Sequence, residues 1–108
     1  MIKVTIYMHE DEIVGFRSEG HAGYDVHGKD VVCAAVSILV INTINSIEKF
    51  TQDKFEVVQD EKNGLIDFRL NTDNPCRETS VLLSSLKLGI SGIRSNNKKY
   101  LRILFEEV

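Results

Sequence analysis

The chain opens on a regular alternation. Ile2, Val4, Ile6 and Met8 are apolar, and Lys3, Thr5, Tyr7 and His9 fall between them. That period of two marks a strand with one buried face. The acidic turn Glu10-Asp11-Glu12 leads into Ile13 to Arg17, a second strand, so the pair is predicted to form a hairpin. Residues 19–29 lose all periodicity and carry Gly20, Gly23 and Gly28, the pattern of a loop. From Asp30 to about Phe50 the apolar positions, including Val31, Val32, Val36, Leu39, Val40, Ile44 and Ile47, fall nearly all round a helix. The spacing predicts a helix capped by Asp30, since an aspartate there accepts a hydrogen bond from an otherwise unpaired amide two or three residues on. A helix so uniformly apolar is expected to be central, or covered on one side by a partner subunit.

Phe55 and Val57, then Ile66, Phe68 and Leu70, mark two further strands joined through Asp60-Glu61-Lys62-Asn63-Gly64, where Asn-Gly is a strong turn signal. Pro75 suits the first turn of a second helix, because its missing amide would be unpaired there. Leu82, Leu83, Leu86, Ile90 and Ile93 give that helix one apolar stripe, and Gly92 with Ser95-Asn96-Asn97 fits its end. Tyr100 to Glu106, with Leu101, Ile103 and Phe105 on one face, is a last strand. The order is ββαββαβ: a single α+β domain over residues 1–108, with a mixed sheet and two helices.

Composition narrows the function. At 108 residues the chain can bury a core without covalent staples. Acidic residues outnumber basic ones and the formal net charge is −3, which argues against a broad surface for nucleic acid. Cys33 and Cys76 stand alone in dissimilar surroundings, too sparse for a secreted disulfide framework, so a reducing cytoplasm is expected. The first residues read as a strand rather than a signal peptide. The apolar run around Val31–Ile41, interrupted by Ser37 and followed by Asn42, Thr43 and Asn45, is read as too short to span a membrane.

The candidate chemistry sits in residues 20–37, GHAGYDVHGKDVVCAAVS. With Asp30 as cap, Cys33 would be third in its helix, where unpaired amides and the helix dipole favour a thiolate. His21 stands on the glycine-bearing loop and can form an imidazole partner, first as base and then as acid toward a leaving amine. The amides of residues 31–34 are candidates to polarise a scissile carbonyl. Composition alone favours a plainer role, since a free cysteine in an Ala- and Val-rich helix is usually packed. A metal site built from His21, His27 and Cys33, with or without Cys76, lacks the tight paired spacing usual in structural zinc sites.

The stretch Gly20-His21-Ala22-Gly23-Tyr24, followed by Gly28 and by Asp30-Val31-Val32-Cys33-Ala34-Ala35-Val36-Ser37, resembles the ribosomal-processing cysteine protease family, Prp. The resemblance extends over the whole chain in size and element order. It implies a cytoplasmic, homodimeric endopeptidase of Firmicutes and related bacteria, with no cofactor and no membrane or direct nucleic-acid partner. The implied substrate is the precursor of large-subunit ribosomal protein twenty-seven, cut after an aromatic pair and before the basic mature sequence. Carried over by position, Cys33 is the nucleophile and His21 the general base. Asp30 and Ser37 are possible supporting residues, and Gly20, Gly23 and Gly28 let the loop open and close. Asp25 and Val31 depart from the residues common in the family, and His27 is an additional histidine with no assigned role. Two other functions stand beside this one: a non-catalytic ribosome-associated binding protein, and a thiol redox sensor using Cys33.

Overall fold

The computed structural model describes residues 1–20 and 27–108, with 27–30 described by their backbone alone. Its elements are β1 (Ile2–His9), β2 (Glu12–Glu19), α1 (His27–Phe50), β3 (Phe55–Asp60), β4 (Leu65–Leu70), α2 (Arg77–Asn96) and β5 (Leu101–Glu107). The predicted ββαββαβ order is the observed one. The five strands form one sheet in the order β3-β4-β2-β1-β5, antiparallel except for the parallel β1–β5 pair. Each helix therefore serves as a crossover between parallel strands, α1 from β2 to β3 across β4, and α2 from β4 to β5 across β2 and β1.

The alternation in β1 sorts the two faces of the sheet. Ile2, Val4 and Ile6 join Phe16 and Phe68 against Val32, Val36, Val40 and Ile47 of α1 and Leu83, Leu86 and Ile90 of α2. Phe16 and Phe68 stack with ring centres 5.0 Å apart, and Phe55 tilts onto Phe68 at 4.9 Å. The helices pack closely enough that a β-carbon at Gly89 would meet Leu39 Cδ1 at 2.8 Å. Lys3, Thr5, Tyr7, Arg17, Asp67 and Arg69 share the opposite face by register.

Four expectations need correction. The helix predicted from Asp30 begins at His27, so Asp30 is its fourth residue and not its cap. The expected 19–29 loop shortens at both ends, because β2 takes Glu19 and α1 takes 27–29. Pro75 lies just ahead of α2, whose cap is Cys76. The helical stretch Val31–Phe50 is also long and apolar enough, by length and composition, to cross a membrane. The run does not end at Asn42 and Thr43, since the Thr43 hydroxyl donates to the Leu39 carbonyl at 2.7 Å and is satisfied within the helix. Here the helix contributes a core stripe instead, at Val32, Val36, Val40, Thr43 and Ile47.

Candidate active site

At one end of the sheet a cavity of about 320 Å³ opens between α1 and the strands. One wall is α1, with Cys33, Val36, Ser37 and Val40. Ile2, Ser18 and Gly20 come from the start of β1 and the end of β2. The far wall is the β3–β4 turn region, with Gln59, Asp60, Glu61, Gly64, Leu65 and Ile66. Aliphatic side chains from three elements thus line a space whose rim is polar.

Cys33 is half-buried and unpaired by any disulfide. Its place follows from helical spacing. The core stripe of α1 fixes the helix's rotation, and at about 100° per residue Cys33 and Ser37 fall to one side of that stripe, one turn apart. Leu39 falls on the other side, toward α2. Cys33 is thus held on a helix at the edge of the core, packed in part against it and lining the cavity.

The earlier helix start changes the local electrostatics. Cys33 is seventh in α1, and the dipole's influence is concentrated in the first turn. In a helix beginning at His27, the amides of residues 31–34 donate to carbonyls four residues back. They are therefore not free to polarise a scissile carbonyl, and the sequence expectation for them is withdrawn. The unpaired amides belong to the turn ahead, nearer the loop.

Gly20 is required where it stands. Its φ is 121°, and a β-carbon there would meet the Met1 carbonyl oxygen at 2.7 Å and Ile2 Cα at 3.1 Å. The chain leaves β2 pressed against the start of β1, a path open only to glycine. Of the other sequence-predicted positions, His21 and Gly23 lie outside the described residues, and Gly28 and Asp30 are the second and fourth residues of α1. Ser37 lines the cavity, exposed, one turn from Cys33. The sequence reading missed the far wall, Gln59 to Ile66, whose only local signal was the Asn-Gly turn beside it.

Cys76 sits elsewhere. It caps α2, its amide donates to Asp53 Oδ2 at 3.0 Å, and its Sγ lies 3.4 Å from Thr79 Oγ1. This polar cluster ties the α1–β3 connection to the start of α2, in keeping with a structural cysteine. Among the described residues no group of three His, Cys, Asp or Glu side chains could hold a metal ion.

The family model for cysteine protease Prp matches residues 1–102. The chain belongs to the Prp cysteine protease family. Its curated relatives include the ribosomal processing cysteine protease Prp of Staphylococcus aureus (strain NCTC 8325 / PS 47), 23% identical over 108 residues and covering 98% of this chain and 100% of that one. The Prp of Bacillus subtilis (strain 168) is 26% identical over 107 residues, covering 95% and 96%. Among solved structures, S. aureus Prp in complex with a substrate peptide superposes with a TM-score of 0.90 at 21% identity, over 98% of this chain and 100% of that one. The same protease with a covalently linked product peptide gives 0.87 at 22% identity, over the same shares. The fold is therefore that of Prp crystal structures, and the chain is a cysteine protease of the ribosomal-processing family. The alternatives of a silent binding protein and a redox sensor give way to an enzyme.

Proposed function

We propose that this protease removes the N-terminal extension from the precursor of large-subunit ribosomal protein twenty-seven, with Cys33 as nucleophile and His21 as general base. The observation that carries the reading is the half-buried Cys33 on the wall of an apolar cavity large enough for substrate side chains. His21 follows directly on Gly20, where the chain leaves β2 beside that same cavity. In the proposed reaction His21 takes the thiol proton, and the Cys33 sulfur adds to the scissile carbonyl carbon. The tetrahedral adduct collapses, and the C–N bond breaks as the imidazolium returns the proton to the leaving amine. Water, deprotonated by the same imidazole, then hydrolyses the thioester and frees the thiol. Asp30 and Ser37 support this machinery, while Gly23 and Gly28, with the fixed exit at Gly20, let the intervening loop close over substrate.

The enzyme is proposed to act in the cytoplasm as a homodimer, with no membrane or direct nucleic-acid partner. The outward side of α1 supports the dimer. Val31, Ile38 and Ile41 are 58%, 69% and 40% exposed, and with exposed Ala34 and Asn45 they recur at intervals of three and four residues. No charged residue lies between Asp30 and Glu48. A second copy would offer the same neutral seam.

The test is cleavage of a synthetic peptide spanning the extension junction of that precursor. Wild type is expected to cut once, at the junction, and Cys33→Ala and His21→Ala to lose activity by at least about a thousandfold. Cleavage that survives Cys33→Ala would refute the nucleophile, and an uncut junction would refute the substrate.

A further inference from the structure

Strand β3 ends at the cavity and forms an edge of the sheet. Which of its backbone groups face outward follows from one bond. The Asn71 amide donates to the Lys54 carbonyl at 2.9 Å, one step beyond the Phe55–Leu70 pair and in the same register. Antiparallel ladders exchange hydrogen bonds only at every second pair. The bonded pairs are thus Glu56–Arg69, Val58–Asp67 and Asp60–Leu65. Phe55, Val57 and Gln59 turn their amides and carbonyls away from β4, and no described segment pairs with that side.

The side chains of these three residues point to the helix-covered face. Val57 pairs with the core residue Phe68, Phe55 packs on the same ring, and Gln59 lines the cavity that holds Cys33. The free edge therefore runs directly into the reaction space. Val57 is 39% exposed there. A strand laid along this edge would send alternate side chains into the cleft between β3 and α1.

We infer that β3 binds the substrate backbone, the peptide adding as an extended sixth strand that bonds to Val57 and Gln59 and is thereby delivered to Cys33. The occupant is a peptide in extended form, recognised through its main chain whatever its side chains. The inference rests on the protease reading above and specifies how that site takes its substrate.

The experiment uses the full-length protein and the precursor-junction peptide, remade as a series in which one backbone amide at a time becomes an ester. Cleavage and binding are both measured, binding with the Cys33→Ala variant. Losses are expected at every second position, each about tenfold in kcat/KM, because only alternate peptide residues bond to an edge. Val57→Pro removes an outward amide and leaves the ladder to β4 intact, as proline allows on an edge. It is expected to raise KM about tenfold at nearly unchanged kcat, with no change in alkylation of Cys33 by iodoacetamide. Uniform losses, no losses, or a Val57→Pro effect on self-association rather than on KM would overturn the inference. If that variant does not fold, the ester series on the wild-type protein decides alone. Alternating binding without cleavage would overturn the activity and not the edge. Cleavage with uniform losses would do the reverse, and absence of binding would overturn both.

Discussion

The hydroxyl of Tyr7 donates to Asp67 Oδ2 at 2.7 Å, joining β1 to β4 on the sheet face opposite the helices. Arg69 Nε donates to the other carboxylate oxygen at 3.1 Å, and its guanidinium lies 4.2 Å from the centre of the Tyr7 ring. Arg17 Nε stands 3.4 Å from Asp67 Oδ2. Arginine stems thus do the covering that a third layer would do elsewhere, and Tyr7 and Asp67 are buried beneath them. Burial first, then the Asp67 carboxylate, raises the Tyr7 pKa above its ordinary 10.0. The neutral phenol is therefore the form that folding favours. Its contribution to stability is complete below pH 10, the unfolded value, and is lost as pH rises through the higher folded value. Tyr7→Phe is expected to cost about 1 kcal/mol at neutral pH and to flatten the alkaline limb of stability, as read by denaturant unfolding from pH 8 to pH 11.

Asp53 holds the start of α2 from outside the helix, accepting a hydrogen bond from the amide of its cap residue Cys76. The Thr79 hydroxyl, then the Cys76 amide, hold its carboxyl below the usual range against the opposing effect of burial. With a depressed folded pKa, this contribution is present above the unfolded value of 3.8 and is lost as pH falls through the lower folded one. Asp53→Ala is expected to destabilise by about 1 kcal/mol, the size of a side-chain cap. Asp53→Asn should retain part of that and show weaker acid dependence in thermal unfolding.

His9 joins the end of β1 to the last residues. Its Nδ1 lies 3.1 Å from the Val108 carbonyl, and its Nε2 is 3.8 Å from Asp73. The Val108 carbonyl first, then Asp73, raises its pKa above 6.5. Its contribution is therefore full below pH 6.5 and declines as pH rises through the folded value. Replacing it by Gln should remove a small fall in Tm across neutral pH while leaving peptide cleavage intact.

Ile38 sits at the centre of the exposed α1 seam, 69% accessible. Ile38→Asp is expected to shift sedimentation from dimer to monomer at micromolar concentration, with little change in the secondary structure of the chain. A wild-type chain that sediments as a monomer would overturn the seam.

Elements that touch the core were legible in the sequence. The alternation of Ile2, Val4 and Ile6 gave β1, and the stripe through Leu83, Leu86 and Ile90 gave α2, because burial imposes those periods. The first turn of α1 was not, since the backbone closes its hydrogen bonds through Gly28 and Lys29 without an apolar pattern to mark it. Cys33 and Ser37 were visible as neighbours on one helix side. Their company with Gln59 and Ile66 was not, because that contact depends on α1 carrying the chain across β4 to place β3 at the edge. The Tyr7–Asp67 cluster read only as a polar strand face, since alternation does not tell which charges arginine stems will cover.

The parallel pairing of β1 with β5 sets an order of assembly. Ile2 finds its partner in Leu101, 99 residues later, and contacts so distant in sequence slow folding. During synthesis β1 precedes β5, and one of its two edges has no mate until β5 follows. A protease built this way completes its sheet only after almost all of this sequence has been made. Ile2, on the wall of the cavity that holds Cys33, gains its β5 neighbour only then.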